Sequence, residues 1–196
     1  MEILSVLATL GAVLMGYWLG NRDSIKQVKK QRNNFYTELE ILEEDLTSWL
    51  RNGLVDEYKK PQRCDYTYPL DVDWGFLNSI QLELGAEMLP EHRKLIKRIK
   101  SYHESIISNT ERRNKKATGP NGEVQYVDYK LTAQVIVQVN QMLYFIAKCL
   151  SERDNFTVST GYNMFDAMES VNRAHAIWES NSEINEVLNN AGYAKA

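Results

Sequence analysis

The sequence predicts an all-α chain: one membrane-spanning helix, a long juxtamembrane helix and a cytoplasmic bundle of about five helices. Three observations carry this. Ile3 to Gly20 is uncharged and mostly apolar, and Arg22, Lys26, Lys29, Lys30 and Arg32 follow it at once. Apolar residues then recur at spacings of three and four through most of the chain. Glycine and proline mark the connections between these stretches, and no internal repeat or low-complexity tract interrupts them.

The expected anchor occupies residues 1–21. An uncharged helix of about 18 residues spans roughly 27 Å, close to the hydrocarbon thickness of a bilayer. Tyr17 and Trp18 suit the interfacial depth. A cleaved leader fits less well, because Glu2 stands where a basic n-region belongs and no A-x-A-like site follows. No Gly at position 2 offers a myristoylation site, and both cysteines, Cys64 and Cys149, lie far from the stretch. The basic residues lie on the C-terminal side alone. The expected orientation therefore puts the N-terminus outside and the large C-terminal part in the cytoplasm, at the cell membrane or, in a Gram-negative cell, the inner membrane. Ala8, Ala12, Gly16 and Gly20 recur every fourth residue and form a flat ridge for helix–helix packing.

Residues 22–52 are expected to form a stalk helix. Ile25, Val28, Phe35, Leu39, Leu42, Leu46 and Trp49 alternate spacings of three and four, with Arg32 filling one a position, so they form a coiled-coil seam. The same stripe would serve a helix packed in its own bundle. Gly53 is the expected stop. Together the anchor ridge and the seam point to a homo-oligomer. Arg22, Lys26, Lys29, Lys30 and Arg32 are placed at anionic lipid headgroups of the bilayer. Residues 33–57 carry seven acids against Arg51.

Residues 53–73 read as a loop containing Pro61, Pro69, Tyr58, Tyr66 and Tyr68. It either wraps the bundle or binds a partner. Asp71-Val-Asp73-Trp-Gly75 is not a calcium loop, because Phe76 and Leu82 stand where Gly and Glu are needed; Asp73 suits a helix N-cap. The bundle spans residues 74–192. Helices are expected over 74–89 and from Pro90 to about Lys116. A turn at Gly119-Pro120-Asn121-Gly122 precedes the most apolar helix, Val124 to about Leu150, which is the expected core. A loop at 153–161 leads to a helix over Tyr162–Trp178. Ser180 and Glu183 form a capping box for the last helix, and residues 193–196 fray.

Little here points to chemistry. His92, His103 and His175 have no metal-ligand spacing and there is no cysteine pair, so no metal and no cofactor are expected. The helix from Pro90 carries a basic face of Arg93, Lys94, Lys97, Lys100, Arg112 and Arg113. Nine basic and three acidic residues lie between Glu91 and Lys116. This face can pair with the acidic stalk, meet an acidic partner, or bind nucleic acid through residues 93–116.

Arg98-Ile-Lys-Ser-Tyr-His103 resembles the R-x4-H signature of the HEPN ribonucleases, which are also all-α bundles. The resemblance covers six residues. It implies catalysis by Arg98 and His103 across a dimer interface. Ile99 stands where that family commonly has a polar residue, and the motif lies in a central helix instead of a late one. Five residues along a helix set two side chains about 140° apart, so the pair could meet only between protomers. The leading expectation is a membrane-anchored, self-associating scaffold that presents its cytoplasmic bundle to an unknown protein partner, without catalytic residues of its own.

Overall fold

All regular structure among the described residues is helical. The computed structural model describes residues 2–60, 70–117, 128–159 and 161–193, without the side chains of 2–14, 19, 116 and 117. Several expectations lie outside that range: the side chains of Ala8 and Ala12, Cys64, Tyr66 and Tyr68, the turn at Gly119–Gly122 and the tail from 194. The helices are α1 Glu2–Trp49, α2 Val55–Lys59, α3 Trp74–Leu84, α4 Pro90–Ala117, α5 Tyr129–Glu152, α6 Met164–His175 and α7 Asn181–Ala191. The chain divides into two compact units, residues 1–38 with 74–88, and residues 39–73 with 89–196.

Among the described residues no helix is long and apolar enough to cross a membrane. Most side chains of the uncharged stretch are not among them.

In the first unit, Phe35, Tyr36, Leu77, Ile80, Leu84 and Met88 are buried. The last four keep the three-and-four spacing of a helix's apolar face, although α3 itself ends at Leu84. Gly85 takes φ +47°, a conformation that strains any residue with a Cβ, and a short 3-10 turn follows over Gly85–Glu87. Arg32 donates from Nη2 to the carbonyl oxygen of Glu87 at 3.1 Å, and Gln31 donates to the Glu83 carboxylate. Arg32 is thus half-buried and engaged with this turn, whereas Arg22, Lys26, Lys29 and Lys30 are exposed.

The second unit is organised around α5. Ala133, Val135, Ile136, Val137, Val139, Met142, Leu143, Phe145, Ile146 and Cys149 are fully buried, and α4, α6, α7 and α2 all pack against this helix. Each large apolar side chain buried here contributes about 1.5–3 kcal/mol. Asp128 sets the start of α5: its Oδ1 accepts from the N–H groups of Lys130 and Leu131 at 3.0 and 3.2 Å. The helix therefore begins at Tyr129, five residues later than the Val124 expected from hydrophobicity.

Two helix ends also differ from expectation. Gly53 does not stop the stalk. The helix passes through a π-helical turn at Leu50–Leu54, where the N–H of Val55 reaches back to the carbonyl of Leu50, and continues to Lys59. Leu50 and Leu54 are both buried, and their burial outweighs the glycine's weak propensity. In α6 the helix ends at His175, not Trp178, because Ala176 is left-handed at φ +50°. Asn172 closes this end: its Oδ1 accepts from the Trp178 N–H at 2.6 Å, and its Nδ2 donates to the Trp178 carbonyl at 3.1 Å.

The seam expected over residues 22–52 divides by burial. Leu39, Leu42 and Leu46 are buried within the single chain, as is Phe35. Trp49 and Val28 are half-buried, and Ile25 is 62% exposed. The lower seam is therefore occupied by the protein's own core, and a second chain finds only the upper part open.

An ion pair is buried from water within the second unit. Arg113 is 0% exposed, and its Nη1 donates to Glu57 Oε1 at 2.7 Å. The Thr132 hydroxyl donates to the same oxygen at 2.9 Å. Arg113 thus leaves the expected basic face and ties α4 to α2 and α5. Removing one member of such a pair strands a buried charge, so Arg113→Met is expected to cost about 3–5 kcal/mol. The double variant Arg113→Met/Glu57→Leu should be less destabilised than Arg113→Met alone. Urea unfolding of the full chain in a maltoside detergent checks this, and strictly additive losses would show that the pair is not coupled.

Candidate functional site

Lys94, Lys97, Arg98, Ser101 and Tyr102 follow one another at helical spacings of three, one, three and one, which gathers them on one face of α4. With Val158 they line a groove of about 570 Å3. Its far wall is the chain after the short 3-10 turn at Arg153–Asn155. Hydrophobic periodicity carries no signal for this wall, because side chains from α4 and α5 pin it one residue at a time. Lys148 Nζ donates to the Thr157 carbonyl at 3.0 Å. The Val158 N–H donates to Glu91 Oε2 at 2.8 Å. Arg98 Nη1 donates to the Ser159 carbonyl at 3.0 Å.

Aromatic side chains pack behind the groove. The Tyr102 ring stacks on Phe145 at 6.4 Å between centroids and 20° between planes, and Tyr162 meets Phe145 edge-on at 5.1 Å. Tyr144 stacks on Tyr162 at 5.4 Å. The hydroxyls of Tyr102 and Tyr162 are 3.1 Å apart, and Gln141 donates to Tyr162 at 3.1 Å. Burial, together with Tyr102, pushes the Tyr162 phenol well above its ordinary range, so it stays protonated. The Arg98 guanidinium lies 4.6 Å from the Phe145 ring centre, a cation–π contact that adds to its hydrogen bond.

The electrostatics of the groove are uneven. Lys94 pairs with Glu91, and the Lys94 bond, then the Val158 N–H, hold the Glu91 carboxyl below its usual range. Lys97 and Ser101 are exposed. The groove presents three cations, Lys94, Lys97 and Arg98, and Glu91 is the acid beside them. A carboxylate-bearing ligand fits this arrangement better than a cation does.

The other expected site residues fall elsewhere. His103 is 8% exposed, and its Nε2 lies 3.1 Å from the Leu70 carbonyl. Arg98 and His103 therefore engage different segments of a single protomer, each in a contact that supports the fold. Arg93 and Lys100 are half-buried; Arg112 is exposed and donates to Asn109 at 3.3 Å. Gly16 and Gly20 stand open: a Cβ added at either would meet nothing within 4 Å. Two acids of α1 meet residues outside the basic helix. Glu40 binds Arg153 at 3.0 Å. Glu43 lies 3.2 Å from His175 Nε2, at ion-pair range but without hydrogen-bond alignment. Arg51 donates to the His175 carbonyl and so satisfies the C-terminus of α6.

Among the described residues no group of three His, Cys, Asp or Glu side chains is arranged to hold a metal. Cys149 is buried, and burial pushes its thiol up to about 12. It is not a nucleophile at neutral pH. Compared with protein-family models, curated proteins and solved structures, the chain finds no match.

Two predictions follow from these contacts. Arg98→Ala should cost about 1.5–3 kcal/mol, as the loss of a charged hydrogen bond, whereas Lys97→Ala should stay within about 0.5 kcal/mol. Urea unfolding of the two variants side by side reads the difference, and equal stabilities would remove the structural role given to Arg98. In Cys64→Ser, Cys149 is the sole thiol. It should resist dithiobis(nitrobenzoate) at about pH 8 while folded and react once denaturant restores an ordinary thiol pKa.

Proposed function

We propose that this chain is a single-span membrane protein whose helical bundle faces the cytoplasm and recruits an acidic segment of a partner protein to the groove on α4. The anchor is the uncharged stretch Ile3–Gly20, with the N-terminus outside. The observation that carries the reading is the continuity of α1 from Glu2 to Trp49. One unbroken helix runs from the apolar stretch, through exposed Arg22, Lys26, Lys29 and Lys30, to the buried Leu39, Leu42 and Leu46. Exposed cations directly after an uncharged stretch suit anionic headgroups.

Self-association belongs to the same reading. The open Gly16 and Gly20 suit close packing of a second α1, and the exposed Ile25 extends the contact downwards. An acidic peptide is favoured over nucleic acid for the groove. Tyr102, the aromatic in its lining, is stacked on Phe145 and is not offered to a base. The ribonuclease reading has no comparable support, since Arg98 and His103 engage separate segments of one protomer.

The test has two readouts on the full chain in maltoside. Crosslinking should trap a discrete oligomer that is lost in Gly16→Leu/Gly20→Leu, a substitution with free space around it in the single chain. A monomer in the unaltered protein would overturn self-association. A fluorescent oligoglutamate should bind, and Lys94→Glu/Lys97→Glu should weaken it at least about ten-fold at low salt. Single-stranded RNA bound in its place, with the same loss, would replace the acidic peptide by nucleic acid.

A further inference from the structure

A second cavity, of about 430 Å3, lies away from the α4 groove and is lined by Tyr58, Lys59, Tyr129, Trp178, Glu183, Glu186 and Asn190. Its composition is the reverse of the groove's. Three aromatic side chains share it with two carboxylates, and the one cation is already committed: Lys59 Nζ lies 2.8 Å from Glu183 and 3.8 Å from Glu179. The Lys59 bond is also the main reason that the Glu183 carboxyl is held below its usual range.

Glu186 is the carboxylate left over. Among the described residues no cation pairs with it. It accepts from the Tyr58 hydroxyl at 3.3 Å, and that hydroxyl in turn accepts from Asn190 Nδ2 at 2.6 Å. The chain Asn190–Tyr58–Glu186 fixes both the phenol and the carboxylate in place. Burial, with Glu186 and Tyr129 nearby, raises the Tyr58 phenol above its ordinary value, so it remains a neutral donor to Glu186. Trp178 is 5% exposed, and its indole N–H donates to no acceptor among the described residues. Tyr129, 45% exposed, and Glu186 open the cavity to solvent.

Aromatic faces beside a positioned carboxylate attract an ammonium group whose charge is spread over alkyl substituents: the ring quadrupoles and the carboxylate act on the charge, and the rings cover the alkyl carbons. A cavity of this volume is within the range of small-ligand sites. We propose that this cavity binds a small organic cation carrying an alkylated ammonium, with Glu186 as its counter-charge and Tyr58, Tyr129 and Trp178 as its aromatic walls. This site is independent of both the anchor and the α4 groove.

The test is a titration of the 15N-labelled full chain, held in a maltoside detergent that itself carries no ammonium group. Choline chloride is the probe, and the reporter is the Trp178 indole N–H resonance, identified by its disappearance in Trp178→Phe. Choline should move this resonance saturably, and 3,3-dimethylbutan-1-ol, which has the same shape without the charge, should not. Glu186→Gln and Tyr129→Ala, both at exposed positions, should each weaken choline by at least about ten-fold while the other indole resonances hold their places. Equal responses to choline and to the alcohol would overturn the proposal. So would no response to choline, or an unchanged affinity in both variants.

Discussion

The second unit depends most on a single buried contact, the Arg113–Glu57 pair with the Thr132 hydroxyl. Both ions are almost fully withdrawn from water, Arg113 at 0% and Glu57 at 4% exposure. Ions so placed tolerate little displacement, because their attraction offsets desolvation only at close range and good geometry. The contact therefore sets a register. Glu57 must stand at the right height and rotation on the short α2, and Arg113 must stand near the end of α4. Apolar packing along α5 would accept a small slide of either helix, whereas this triad would not. It determines how the extension of α1 meets the bundle, in a region where few side chains are otherwise distinctive.

Charge serves two purposes in this chain. Arg98, Arg32 and Arg51 each bond to a backbone carbonyl and so clamp the chain there, and Arg113 bonds to a buried carboxylate. The planar guanidinium, with several donors in a fixed fork, suits that work better than an ammonium does. Most of the exposed cations, Lys26, Lys29, Lys30, Lys94 and Lys97, are lysines. The same division runs through the acids: Glu57 and Glu91 hold the fold together, while among the described residues no cation pairs with Glu186.

Much of the architecture was legible because helical periodicity is a strong signal. The core face of α5 and the stripe Leu77, Ile80, Leu84 and Met88 could be read residue by residue from spacing. Three kinds of feature could not. The limits of α5 and α6 depend on Asp128 and Asn172, whose side chains compete locally with the helix, and such competition has no periodicity. The basic face of α4 looked uniform because charge says nothing of depth; Arg113 differs from Arg112 only by the 100° that one residue turns along a helix. The two cavities combine residues that lie far apart in the chain, Tyr58 with Asn190 and Lys94 with Val158, and no local pattern joins them. The seam showed a real apolar stripe, but a stripe does not say which partner covers it. Leu39, Leu42 and Leu46 turned out to be covered by their own chain.

The π-helical turn at Leu50–Leu54 has a consequence for how this sequence can vary. Such a turn is an α-helix holding one surplus residue, so everything after it is rotated by about 100° relative to an uninterrupted helix. Loss of that surplus residue would mend the helix and leave Glu57 on the face it already presents to Arg113. The face would change if Leu50–Leu54 closed up as ordinary α-helix with every residue kept, and Glu57 would then swing about 100° away from Arg113. The segment should therefore tolerate the loss of one residue better than substitutions that favour an unbroken helix. The turn behaves like a slipped gear tooth, whose removal leaves the drive in step.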